Sequence, residues 1–129
     1  MPVQSDKGYG DPLGDWCRYE RVADINCGGY GFVQRCRDKC TGEEVAIKFV
    51  KRKAVERDSK YLKYLNREIV NHSVLLHPFV VRFKNFFLLP KYLAIVMELA
   101  DKGDLFDFVM RRRGLQEPVA RRFFQQFVI

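Results

Sequence analysis

The sequence has no Cys-x-x-Cys pair, no apolar run long enough to cross a membrane, and no apolar core behind its polar start, Met1-Pro2-Val3-Gln4-Ser5. The missing run excludes a membrane-spanning helix, and the polar start excludes a secretory signal. The chain therefore reads as intracellular, cytoplasmic and/or nuclear, with no membrane partner. Its four cysteines, Cys17, Cys27, Cys36 and Cys40, lie in a different segment from its two histidines, His72 and His77. Zinc frameworks pair their ligands more tightly than this, so reduced, partly buried thiols and no metal are the expectation.

What is present fits one ordinary globular domain: 129 residues, 47% hydrophobic and 30% charged. The net charge of +7 would suit an anionic partner. Its distribution argues against nucleic acid. The cations form short clusters, Lys51-Arg52-Lys53, Arg111-Arg112-Arg113 and Arg121-Arg122, without aromatic interleaving or a recognition motif, as solvated faces do.

Residues 1–18 hold Gly8, Gly10, Pro12 and Gly14 among polar neighbours and read as an N-terminal leader without a stable core. A strand is expected from Tyr19 to Asn26, broken by Cys27-Gly28-Gly29-Tyr30-Gly31. A second runs from Phe32 to Arg37, then a turn at Asp38–Gly42, and a third from Glu44 to Val50. Leu62, Leu65 and Ile69, with Tyr61 and His72, recur at helical spacing and predict a helix from about Ser59 to Ser73. His77-Pro78 ends it. Val80–Leu88 and Leu93–Leu99 read as strands four and five. After the linker Asp101-Lys102-Gly103, a short helix is expected over Asp104–Arg112 and another from Gln116. The apolar stripe of that last helix, Val119, Phe123 and Phe127, runs to Ile129 without a cap, which reads as a chain cut within a helix.

Val45-Ala46-Ile47-Lys48 carries the chemistry. Alternation puts Val45 and Ile47 on one face, and Ala46 and Lys48 on the other. A cation on an apolar strand needs an anion to meet it. Upstream, the glycines of Asn26-Cys27-Gly28-Gly29-Tyr30-Gly31-Phe32-Val33 permit close backbone approach to phosphate, though glycines also make ordinary hairpins. A dinucleotide fold would follow them with a helix, whereas here a strand follows, and the phosphate-loop ending Gly-Lys-Ser/Thr is absent. Glu68 is a lone charge on the helical stripe of Tyr61, Leu65 and His72.

Strand, glycine turn, strand and then Val-Ala-Ile-Lys resemble the protein kinase small lobe. Gly28, Gly31 and Val33 match the later positions of the kinase pattern Gly-x-Gly-x-x-Gly-x-Val, with Asn26 in place of its first glycine. The resemblance implies an α+β fold: a kinase-like small lobe over 19–99, of five antiparallel strands plus helix C, then over 100–129 a hinge and the start of a truncated large lobe. It implies that Lys48 holds the α- and β-phosphates of ATP and pairs with Glu68, each charge neutralising the other. Ile25, Asn26, Cys27, Gly28, Gly29, Tyr30, Gly31, Phe32 and Val33 would form the nucleotide lid, and Ala46 would cover adenine with Val33. Met97 would be the gatekeeper, the backbone of Glu98 and Ala100 would bind the adenine edge, and Asp104 would meet the ribose or cap the helix at Leu105. His72, one turn beyond Glu68, is expected to pack near Phe83. Arg67-Glu68-Ile69-Val70-Asn71-His72, Val81-Arg82-Phe83-Lys84 and Leu93-Ala94-Ile95-Val96-Met97-Glu98 are similar to the plant and algal sucrose-non-fermenting-related kinases of the osmotic-stress and abscisic-acid group.

That resemblance implies a serine/threonine protein kinase with protein substrates, ATP and Mg2+. The sequence contains no His-Arg-Asp and no Asp-Phe-Gly, which would supply the catalytic aspartate and the magnesium ligand. The expectation is that both lie in the missing part of a large lobe and that the 129 residues are inactive alone. A non-catalytic kinase-like binding or regulatory module is the alternative.

Overall fold

The computed structural model describes residues 10–15, 17–29 and 31–128. Five strands form one antiparallel sheet: β1 (Tyr19–Gly28), β2 (Gly31–Asp38), β3 (Glu44–Lys51), β4 (Phe83–Leu88) and β5 (Tyr92–Glu98). Their order is β1-β2-β3-β5-β4, so β3 lies at the centre. Between β3 and β4 the chain forms α1 (Arg52–Arg57) and α2 (Ser59–Val74), and after β5 it forms α3 (Leu105–Arg111) and α4 (Glu117–Val128).

Register decides which side chains share a face, since directly opposed residues point the same way. Lys48 stands opposite Val33 on one side and Ile95 on the other; Ala46 stands between Arg35 and Met97. Val50 and Ile95, on this face, form a core with Val55 and Leu65, flanked by Tyr61, Ile69, Phe83 and Met97. This is where α2 docks. Asp58 caps α2, accepting hydrogen bonds from the Lys60 and Tyr61 amides at 3.0 and 3.2 Å. Leu65 is the buried residue of the helix, and burying it contributes about 1.5–3 kcal/mol.

The opposite face is the larger core: Phe32, Cys36, Val45, Ile47, Phe49, Ala94 and Val96, closed by Leu13 and Tyr19. Phe32 stacks on Phe49 at 5.1 Å between centroids, and Tyr92 meets both edge-on. Burial pushes the Cys36 thiol up to about 12, leaving it an inert packing group. The four cysteines are free thiols.

Residues 10–15, 17 and 18 do not behave as the coreless leader expected from their composition. Leu13 is buried, and the Gly10 carbonyl accepts a hydrogen bond at 3.1 Å from the amide of Gln34, itself fully buried. Arg18 grips Asp38 through two bonds, 3.0 and 2.7 Å long. Glycine-rich sequence was compatible with burial here because the contacts run through one leucine and main-chain carbonyls.

Two other boundaries differ from expectation. The α1 helix carries a single buried residue, Val55, among charged neighbours, so it has no periodic stripe to announce it. Strand β4 begins at Phe83 rather than Val80 because His77 organises a turn: its carbonyl accepts from Val80 N–H at 3.2 Å and its Nδ1 from Phe79 N–H at 3.1 Å.

Candidate nucleotide site

The glycine segment is a β-hairpin tip. Gly28 pairs with Gly31, and Tyr30 lies outside the described residues. The glycines serve different ends. A Cβ on Gly31 would fall 1.8 Å from the Phe49 carbonyl oxygen, so the β2–β3 approach itself requires glycine there. Gly28 and Gly29 face open space and have no left-handed backbone. Nothing within the described residues requires their lack of a side chain.

Asn26 needs no special backbone conformation. It lies in β1 opposite Val33, and its side-chain oxygen accepts the Cys27 N–H at 2.8 Å. A bulge between Asp24 and Asn26 precedes it, and Ile25 and Cys27 are exposed.

Phe32 is placed otherwise than a lid residue would be. Its ring is buried in the larger core, on the face away from Lys48, because neighbouring strand residues point to opposite faces.

Lys48 is half-buried beside Val33, Ala46, Ile95 and Met97, and its ammonium has no hydrogen-bond or ion-pair partner among the described residues. The structure does not bring Glu68 to it. Glu68 is exposed and likewise unpaired among the described residues. Helix geometry gives the reason: three residues past the buried Leu65, Glu68 lies about 60° off the line of that side chain, on the flank of the stripe. His72 continues the stripe, its ring meeting Phe83 edge-on at 5.7 Å and its Nε2–H donating to the Val81 carbonyl at 2.6 Å. That is a structural histidine.

At the end of β5, Arg82 occupies two groups of Glu98. The Glu98 N–H donates to the Arg82 carbonyl at 2.8 Å, and the Glu98 carboxylate accepts the Arg82 N–H at 3.0 Å. Both bonds fix the strand end against the segment leading into β4. Ala100 is exposed, and no hydrogen bond reaches it among the described residues. Asp104 caps α3, accepting the Asp107 N–H at 2.8 Å.

These elements unite a hairpin tip with open glycines, a cation on the central strand that is unpaired among the described residues, an apolar rim of Val33, Ala46 and Met97, and beyond β5 an Ala100 that no hydrogen bond reaches among the described residues. Among the described residues no group of three or more His, Cys, Asp or Glu is arranged to hold a metal, and no helix is long and apolar enough to cross a membrane.

Comparison with known proteins agrees with this arrangement. Serine/threonine-protein kinase SRK2A of Physcomitrium patens is 45% identical over 114 residues, 88% of this chain and 31% of the relative. Serine/threonine-protein kinase SRK2E of Arabidopsis thaliana is 44% identical over 111 residues, 86% and 29% respectively. Serine/threonine-protein kinase SAPK9 of Oryza sativa subsp. japonica is 38% identical over 128 residues, 99% and 32%. The chain thus spans about a third of the length of these relatives. The protein kinase domain matches residues 19–129, the full run from β1 through α4. With its sheet, its inserted helices and most of its length accounted for by that match, the chain belongs to the protein kinase domain family.

Proposed function

We propose that these residues form the ATP-binding part of a serine/threonine protein kinase. The observation that carries the reading is Lys48: a half-buried ammonium without a partner among the described residues, on the sheet face it shares with Val33, Ala46 and Met97. Holding such a cation near apolar groups is costly unless an anion meets it. A nucleotide supplies both halves of the match, a flat apolar ring and a chain of phosphates.

ATP, when bound, supplies the transferable phosphoryl group. Val33 and Ala46 cover the adenine from above, and Met97 bounds its depth. The Glu98 N–H is already engaged by Arg82, so Glu98 offers its carbonyl to the adenine edge while Ala100 offers its free main chain. Gly28 and Gly29 let the hairpin backbone descend on the phosphates, and Lys48 holds the α- and β-phosphates. Glu68 orients Lys48 once α2 brings it closer. Asp104 adds a ribose contact to its capping role. Ligands for Mg2+ and the base that orients a protein hydroxyl fall outside these 129 residues, which on this reading bind nucleotide without transferring phosphate.

Titration with a fluorescent N-methylanthraniloyl ATP tests the site. The full chain is expected to bind it saturably, with ATP competing and Lys48→Met abolishing the signal. Equal binding by Lys48→Met would overturn the proposal.

A further inference from the structure

At the end of the sheet there is a concave region, about 430 Å³ in volume, where the end of β3, the start of α1 and the β4–β5 turn meet. Lys51 lies three residues beyond Lys48, so alternation turns it to the opposite face, where it stands opposite Tyr92. Lys51, Arg52, Lys53 and Lys91 line the groove against one carboxylate, Glu56, and Tyr92 and Pro90 supply its apolar surface.

We infer that this groove docks an acidic protein segment in which Asp or Glu residues flank an apolar side chain. Three features favour that occupant. The first is preorganisation: the Arg52 N–H donates to the Lys91 carbonyl at 3.0 Å, tying two of the three segments together. Tyr92 is held by edge-on contacts with Phe32 and Phe49. The second is unmatched charge. Lys51, Lys53 and Lys91 are exposed and have no side-chain partner among the described residues.

The third feature separates carboxylates from a phosphoryl group. Compact recognition of phosphate favours the fork of a guanidinium. The one guanidinium here, Arg52, already donates to the Leu89 carbonyl at 3.3 Å and faces Glu56 at 4.0 Å. What remains is three flexible ammonium groups from separate segments, a set suited to carboxylates distributed along a peptide. The Tyr92 ring and Pro90 then receive the apolar side chain between them.

The test is fluorescence anisotropy of the labelled peptide Glu-Asp-Leu-Asp-Phe-Asp-Glu with the full chain. Saturable binding is expected, weakening as salt rises, and the double variant Lys51→Gln/Lys91→Gln is expected to lower affinity roughly five-fold. The variant Lys102→Gln/Arg122→Gln removes the same charge at exposed positions elsewhere and is expected to leave affinity unchanged. Circular dichroism melts of both variants confirm retained folding, since none of these four side chains has a hydrogen-bond or ion-pair partner among the described residues. Equal losses from both double variants, or no saturable binding, would overturn the inference. So would tighter binding of a peptide whose carboxylates are replaced by a single phosphoserine, or Lys51-dependent capture of phosphatidylserine vesicles that the acidic peptide does not displace. Because Lys48 is absent from the groove, Lys48→Met leaves this binding intact, which separates the docking site from the nucleotide site.

Discussion

Gly31 and the Phe49 carbonyl are in such close approach that a methyl group on Gly31 would overlap the oxygen, at 1.8 Å. The obstruction is main chain, which cannot rotate away. Gly31→Ala is therefore expected to cost about 1–3 kcal/mol of stability by forcing β2 from β3. Gly28→Ala, facing open space, is expected to change stability by no more than about 0.5 kcal/mol while weakening nucleotide binding. Urea denaturation and the ATP-analogue titration read the two effects apart. Similar stability losses at both positions would refute the distinction.

Among the described residues, neither Lys48 nor Glu68 has a hydrogen-bond or ion-pair partner. Removing either leaves no newly orphaned charge, contrary to the buried pair that the kinase resemblance implied. A double-mutant cycle on Lys48→Met and Glu68→Gln, measured without nucleotide, should give a coupling within about 0.5 kcal/mol of zero. A coupling well above that would mean that the pair forms in the free protein.

The guanidinium of Arg18, bonded to both oxygens of Asp38, holds that carboxyl down to about 2, and the Cys40 and Thr41 amides add to the effect. A carboxyl whose folded value lies below its unfolded one, ~3.9, stabilises fully above the unfolded value. That contribution is lost as pH falls through the folded value. Melting temperature should accordingly fall between about pH 4 and pH 2, and Arg18→Gln should flatten that part of the profile. An unchanged acid profile in Arg18→Gln would contradict this assignment.

Leu13 is 6% exposed and belongs to the larger core. Leu13→Ala is expected to destabilise by about 2–5 kcal/mol, as cavity-forming core substitutions do. Denaturant titration checks it. A loss below about 0.5 kcal/mol, the range of surface changes, would return residues 10–15 to the status of a detached leader.

Leu13 also shows where sequence reading ran short. A lone leucine among Gly10, Pro12 and Gly14 has no period, and its burial depends on a sheet built from residues far along the chain. The five strands were legible because alternation and turn residues mark them locally. The long helix was legible because Tyr61, Leu65 and Ile69 repeat at its pitch. By contrast, α1 buries only Val55 and left no pattern. At the site, alternation put Ala46 and Lys48 on one face, and the register adds Val33 and Met97 to that face. Phe32's place on the other face follows from the same alternation, and Glu68's place on the flank of the stripe from its spacing from Leu65; how close α2 brings Glu68 to the sheet depends on packing that residue spacing does not encode.

The strand order places Lys48 between two fully paired neighbours, while Gly28 and Gly29 lie at the far tip of an edge hairpin. Amide exchange should register this as a gradient, slowest along β3 and fastest at the hairpin tip. A ligand gripped between them would meet one stationary wall and one that yields. Its arrival would be detected first as slowed exchange at the tip, with the anchor strand scarcely changed.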